Sequence, residues 1–345
     1  MYPEHPDSFR DTLHYITILA IPVHIFGTYC ILVKTPKTMV SVKWIMLNFH
    51  VCCMVLDYGI SVLTVPYMIF PALGGFPLGI LTEFGVPIEI QSYFILTAVP
   101  VVSSAVITMF ENRYFIVFAQ NTKWRHYRFL ISIINYSGSL TWSLPAFFLV
   151  PDQKMAIKVA LEMLGPIPSY IRNGPMYVLS LELKYVTLPC FLIASLIAVQ
   201  AVIFVTLMTR ELKKLKKTAR FSENTLKMQR NFLHAIYIQV GVLPFIFRTL
   251  IVTVYMTSIQ VPTAYFIVSI FFKIYCQSAN NMGIIIFSFN GLSSTIVMIW
   301  IHKPYRDFCY KLFGIEKWRK NDSQVISQGA ISSIAPNSIR NVVVA

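Results

Sequence analysis

Seven stretches of this chain are apolar over about 20 residues or more, the length of α-helix that crosses the hydrocarbon core of a bilayer. They run Leu13 to Val33, Trp44 to Phe70, Ser92 to Phe118, Phe129 to Val150, Tyr185 to Met208, Phe232 to Thr257 and Cys276 to Ile301. Lipid offers a backbone no hydrogen-bond partners, so each stretch must satisfy its own N–H and C=O groups, and a helix does so within one segment. The expected fold is all-α. It is an integral membrane bundle of seven helices over residues 13–301, with an amino-terminal segment over 1–12, a juxtamembrane amphipathic helix over 302–320 and a disordered tail over 321–345. One run is too long for a single span, since Ala264 to Ile301 would reach about 57 Å as one helix at 1.5 Å per residue. Ala264 to Tyr275 is accordingly expected to form an outer extension that turns near Lys273.

Composition agrees with a lipid environment. With 56% hydrophobic and 13% charged residues, the chain has too little polar surface to coat a soluble globule of 345 residues. A net charge of +14 would suit nucleic acid if the basic residues shared one face, but they fall between the apolar runs. The six cysteines form no CxxC pair or metal-ligand spacing and read as small hydrophobes. The first apolar run lacks a basic leader and a clear cleavage site, so helix one is expected to act as the signal anchor.

Orientation follows from the loops. One side of the expected bundle holds 22 of the 29 Lys and Arg residues, eight of them between Arg210 and Arg230. The other side holds only Arg10, Lys154, Lys158, Arg172, Lys184 and Lys273, with Arg248 inside helix six. Basic loops stay cytoplasmic, so the amino terminus is expected outside and the carboxyl terminus inside. Each of the first six runs also contains a proline, namely Pro22, Pro66, Pro100, Pro145, Pro189 and Pro244. Prolines inside a helix kink it and open room in a bundle.

Several local segments carry a resemblance. They are Pro22-Val-His-Ile-Phe-Gly-Thr-Tyr-Cys-Ile-Leu with Lys34-Thr-Pro-Lys-Thr-Met, Val42-Lys-Trp-Ile-Met-Leu, and Glu111-Asn-Arg at the end of helix three. Asn280-Asn and Ser288-Phe-Asn-Gly-Leu-Ser-Ser-Thr follow in helix seven, then Pro304-Tyr-Arg just beyond it. Over residues 12–310 the chain resembles the nematode serpentine receptor class H family of seven-transmembrane, G-protein-coupled chemoreceptors. The resemblance implies a plasma-membrane protein, of ciliated sensory neurons, that binds an environmental small molecule and activates a heterotrimeric G protein. The chain departs from rhodopsin-like receptors in general, lacking Asp-Arg-Tyr after helix three and Asn-Pro-x-x-Tyr in helix seven.

Asp57 lies mid-span in helix two, where a carboxylate must face the bundle and be partnered. Asn281, Ser288 and Asn290 sit at comparable depth in helix seven, so a polar cluster joining the two helices is expected, either as a fixed network or as a switch. Near the inner end, Glu111, Asn112 and Arg113 are candidates for G-protein coupling or for locking a resting state, although Arg113 would also serve as a topology anchor. Pro304, Tyr305 and Arg306 are expected to turn the chain along the membrane, with Cys309 a candidate for palmitoylation. The basic third inner loop suits an acidic G-protein surface, anionic lipid or plain topology alike.

Position alone nominates ligand contacts: Gln91, Tyr93, Arg248, Tyr255, Lys273 and Gln277, polar or aromatic groups in the outer halves of the spans. Arg248 would meet an anionic ligand or snorkel to outer headgroups. There is no HExxH, GxSxG, phosphate-cradling loop or His and carboxylate cluster, so no catalysis, metal or cofactor is expected. The rival to a receptor is a ligand-gated channel or transporter, which would need a polar path through the membrane and usually internal repeats. A receptor-like helper of another receptor would read the same.

Overall fold

The computed structural model describes residues 4–218, 259 and 261–314. The sixth apolar run, with Pro244, Arg248 and Tyr255, lies outside the described residues, as does the expected tail. Helix α1 (Pro6–Val33) crosses first, and α2 (Val40–Tyr58) returns and continues through a wider π turn at Gly59–Leu63. There it stops, seven residues short of the expected end. The residue before a proline is pushed out of the helical region, and Val65, ahead of Pro66, sits at φ +43°. Pro66 therefore does not kink helix two. It opens strand β1 (Pro66–Met68), which pairs with β2 (Leu73–Pro77) in register Pro66↔Pro77 and Tyr67↔Phe76. β3 (Tyr177–Ser180), more than a hundred residues later, adds to the other edge of β2, giving an antiparallel sheet in the order β1-β2-β3.

The sheet was not expected from the sequence. Its first strand hides in the second apolar run, and its second contains two glycines in a stretch that reads as a turn. Those glycines are required by close approach: a Cβ on Gly75 would fall on the Tyr67 carbonyl, and one on Gly74 would come within 2.8 Å of the Tyr177 carbonyl. The Gln153 side chain extends the sheet's bonding further, accepting from the Val178 N–H at 2.9 Å and donating to its carbonyl at 3.1 Å.

After α3 (Ile80–Glu83), α4 (Ile88–Tyr114) runs through a second π turn at Phe115–Ala119. The fourth apolar run is split. Helix α5 (Trp124–Thr141) ends at Trp142, and Pro145 falls in the first turn of the separate helix α6 (Leu144–Phe148), where its missing N–H costs nothing. Pro145 thus starts a helix rather than bending one. α7 (Gln153–Leu164), capped by Asp152, and α8 (Ser169–Arg172) precede β3, and α9 (Lys184–Thr218) follows it. Further on come α10 (Val261–Phe272), α11 (Gln277–Ser288), α12 (Asn290–Ile301) and α13 (Lys303–Leu312). The over-long apolar run does turn at Lys273, which adopts φ +53° between α10 and α11.

Among the described residues five helices are long and apolar enough to cross a membrane: α1, α2 with its π turn, α4 with its π turn, α9, and α11 with α12. They keep Ile18, Leu19 and Ile25 on α1 and Leu188, Phe191 and Val202 on α9 exposed, outward faces that only an apolar solvent would accept. Inward, α1, α2 and α12 approach closely enough that a Cβ on Gly27 would lie 2.5 Å from the Thr295 methyl. The amino terminus, the sheet, α7 and α8 share one end of the bundle, since Tyr67 donates to the Glu4 carbonyl and the His5 ring lies 5.1 Å from that of Tyr170. This end is the amino-terminal face below. Gly75→Val is expected to break the sheet and lower the thermal midpoint of purified protein by roughly 5 °C or more, against less than about 2 °C for outward-facing Leu188→Ala, measured by thermal unfolding in detergent.

Candidate functional site

A carboxylate in the middle of a membrane bundle needs hydrogen-bond donors, and Asp57 finds them in the backbone of helix seven. That helix is broken at Phe289, between α11 and α12. The break exposes N–H groups at the start of α12 that no preceding turn can satisfy. Asp57 Oδ1 accepts from the Gly291 N–H and Oδ2 from the Leu292 N–H, both at 2.9 Å. The helix dipole adds to the attraction of a negative group at this point. Position 291 must be glycine here, because a Cβ would fall on the Asp57 carboxylate.

His24 of α1 completes the site. Its Nε2 lies 3.2 Å from Asp57 Oδ2, and its Nδ1 lies 3.2 Å from Thr295 Oγ1. Thr295 in turn is 3.3 Å from His50 Nδ1, and His50 Nε2 is 3.2 Å from the His24 carbonyl. His50 Nε2 also lies 3.1 Å from Thr28 Oγ1, whose hydroxyl donates to the same His24 carbonyl at 2.9 Å. The Thr295 hydroxyl in turn donates to the Gly291 carbonyl at 2.7 Å. His24, His50 and Asp57 are at most 2% exposed, and together they join helices one, two and seven.

The expected link between helices two and seven thus runs through the main chain. Asn281, Ser288 and Asn290 bond elsewhere: Asn281 Oδ1 accepts from Gln277, the Ser288 hydroxyl donates to the Ile285 carbonyl, and Asn290 Nδ2 points to Cys53 Sγ at 3.9 Å.

At the amino-terminal face, α11 is tied to the sheet. Gln277 Nε2 donates to the Met68 carbonyl at 3.0 Å, Asn280 Nδ2 donates to the Phe70 carbonyl at 3.0 Å, and the Ser278 hydroxyl donates to Glu4 at 2.5 Å. Gln277 Oε1 and the Tyr275 hydroxyl are buried without a hydrogen-bond partner among the described residues. Burial, with Tyr170 and Glu4 nearby, pushes the Tyr275 phenol up to about 12. The other ligand candidates separate from this patch. Gln91 donates to the Val86 carbonyl at 2.8 Å, Tyr93 donates to the Leu140 carbonyl at 2.6 Å, and Lys273 stands exposed at its turn.

At the opposite face the Glu111-Asn-Arg triplet divides. Glu111 accepts from Trp124 Nε1 at 2.7 Å and from Arg128 at 2.8 Å, and the same Arg128 nitrogen donates to Asn112 Oδ1 at 2.9 Å. The Arg128 guanidinium also covers the Phe115 ring at 3.9 Å. Arg113 turns instead toward the elbow between α12 and α13, within electrostatic reach of His302 and Tyr305. Burial, and then the charge of Arg113, pushes His302 down to about 3. Pro304 sits in the first turn of α13, the Tyr305 hydroxyl pairs with Thr35 at 2.6 Å, and Arg306 donates to the Trp300 carbonyl at 3.1 Å. Cys309 is half-buried on α13, next to Phe308, which stacks on Phe26.

Residues 4–315 match the family described as serpentine type 7TM GPCR chemoreceptor Srh. The chain belongs to the Srh family. Serpentine receptor class H-72 of Caenorhabditis elegans is 25% identical over 319 residues, covering 86% of this chain and 83% of the relative. This Srh chain is therefore a multi-pass membrane protein of a chemosensory receptor family with seven spans. Sequence reasoning named Asp57 but missed His24, His50, Thr295 and Gly291. A histidine in each of two neighbouring spans is the signal that was available, but its depth relative to Asp57 depends on helix packing. Arg128 and Trp124, which hold Glu111, were likewise not singled out.

Asp57→Ala in this receptor should leave the Gly291 and Leu292 amides and His24 Nε2 unpaired, costing about 3 kcal/mol or more. Adding His24→Ala should cost much less than its single-variant effect, a coupling read from thermal midpoints in a double-mutant cycle. His302 gives a pH test. Its folded pKa lies below the ordinary 6.5, so the unfolded chain binds a proton that the folded one refuses as pH falls from 6.5 toward 3. Stability present above that window is lost within it, and His302→Gln is expected to flatten this part of the curve in thermal unfolding between about pH 7.5 and 4.5.

Proposed function

We propose that this Srh protein is a chemosensory receptor of the plasma membrane, in a sensory cilium, that detects an environmental small molecule on its amino-terminal face and activates a heterotrimeric G protein on the other. The broken helix seven is the observation that carries the reading. Its outer half, α11, bears Gln277 and Asn281 against the sheet, and its inner half, α12, leads directly into the elbow beside Arg113. Between the halves a single carboxylate, Asp57, holds the break. A ligand that moves α11 acts on this joint, and α12 delivers the change to the inner face. Interfaces of this kind pass between discrete arrangements, and a ligand biases them by its differential affinity.

Ligand contact is assigned to the patch where Tyr67, Tyr275, Gln277 and Asn281 meet, because two of its buried polar atoms have no hydrogen-bond partner among the described residues. Burying a polar atom without a hydrogen bond costs roughly 1–3 kcal/mol, which a bound polar molecule would recover. On the inner face, Glu111, Asn112 and Arg113 set the resting arrangement. Pro304, Tyr305 and Arg306 hold α13 along the bilayer, where Cys309 is placed for palmitoylation, and the basic stretch beginning at Arg210 faces the G protein.

The test is ligand-evoked calcium in cells carrying the chain with a promiscuous G-protein α subunit, screened against volatile and water-soluble small molecules. A response abolished by a G-protein blocker, and reduced at least about tenfold in potency or amplitude by Asp57→Ala at equal surface expression, is expected. Ligand-gated currents that survive the blocker would overturn G-protein coupling in favour of a channel.

A further inference from the structure

The amino-terminal face has a further feature away from helix seven. A groove of about 460 Å³ runs along α7 and the turn after it, with Ile157 and Leu161 on its floor and Lys154, Lys158 and Arg172 on its rim beside one acid, Glu162. Two elements build the rim. Lys154 and Lys158 stand one turn apart on α7, and Arg172 closes α8, which the chain reaches after reversing at Gly165, φ +73°. These three cations are a concentration of charge that topology does not explain, since few basic residues occur on this face at all. Of the others there, Arg10 pairs with Asp7 and Asp11 and Lys184 with Glu182, while Lys273 stands alone at its turn, away from the groove, with no ion pair among the described residues. Lys154, Lys158 and Arg172 are exposed, and none has an ion-pair partner among the described residues.

We propose that this groove binds an amphipathic organic anion. A carboxylate, sulfate or phosphate group sits among Lys154, Lys158 and Arg172, and an alkyl chain lies over Ile157 and Leu161. Each half of the ligand follows from the lining. The cations favour an anionic head through charge-assisted hydrogen bonds that a neutral molecule cannot make, and the apolar floor favours an alkyl chain that a small hydrophilic anion lacks. Glu162, one turn beyond Lys158 on α7, repels a second negative group, which favours a molecule with one anionic head. A free solute and an anionic lipid of the surrounding bilayer share this chemistry. The proposal rests on the receptor reading above only in setting the groove on the outer side, since binding itself needs neither the G protein nor a particular orientation.

Both faces are accessible when the full chain is reconstituted in phosphatidylcholine nanodiscs, so the test is equilibrium binding of radiolabelled decanoate, with decanol as the neutral control. The expected result is saturable decanoate binding above the level of empty nanodiscs, absent for decanol. K154Q/K158Q and R172Q should each weaken it about tenfold, while the exposed positions leave the thermal midpoint unchanged. Replacing part of the phosphatidylcholine with phosphatidylglycerol separates the sources: competition identifies a lipid headgroup as occupant, and undiminished binding identifies a free anion. Uptake that only tracks lipid content, or saturable binding that the three substitutions leave unchanged, would overturn the proposal. Because neither readout involves signalling, loss of this binding and loss of G-protein coupling are separate results.

Discussion

The start of α12 is buried inside the bundle, and the N–H groups of Gly291 and Leu292 are satisfied by one side chain from another helix. That substitution of Asp57 for the missing turn is what allows helix seven to be broken at all. It also sets the spacing of three helices. Asp57 can reach the Gly291 and Leu292 amides only because position 291 lacks a Cβ, and His24 reaches Asp57 only because Gly27 lets α1 approach Thr295. Two glycines, one carboxylate and two imidazoles are therefore a single construction. Removing any member leaves the others with buried valences.

From that joint the polar contacts run in both directions. Toward the amino terminus, α11 is bonded to β1 and its turn through Gln277 and Asn280, and the sheet is bonded to the amino-terminal segment through Tyr67. Toward the other face, the helix ends at His302, and Tyr305 and Arg306 fasten α13 to Thr35 and Trp300. Helix three contributes at the same level through Arg113, while its neighbours Glu111 and Asn112 are held by Arg128 of α5. At this face the ends of helices three, four and seven are thus charged and hydrogen-bonded side by side. Under the proposed receptor function, the break in helix seven would lie between a ligand-facing end and a partner-facing end.

The amino-terminal face has more structure than loops between spans require. The sheet draws on segments more than a hundred residues apart, and α7 is joined to it by the Gln153 side chain acting as a further strand. These bonds tie α7, and with it the groove, to the sheet. The three cations of the groove stand out on this face because they are gathered on one rim, whereas Arg10 and Lys184 are paired with neighbouring acids.

Length and hydropathy alone determined that the chain would cross a membrane as helices, that the over-long apolar run would turn at Lys273, and that Asp57 would face inward, because lipid tolerates neither an open backbone nor an unpartnered charge. Local motifs in the same sequence were enough to point to the Srh family. The rest needed tertiary structure, for identifiable reasons. Pro66 and Pro145 read as helix kinks, because an apolar stretch does not reveal whether the residues beyond a proline pack as helix, strand or a second helix. The sheet escaped notice because β3 lies so far along the chain from β2. Asn281, Ser288 and Asn290 seemed the natural partners of Asp57 by depth, yet the break at Phe289 offered backbone amides, and only the packing of α1 and α2 against α12 decided that His24 and His50 would join them.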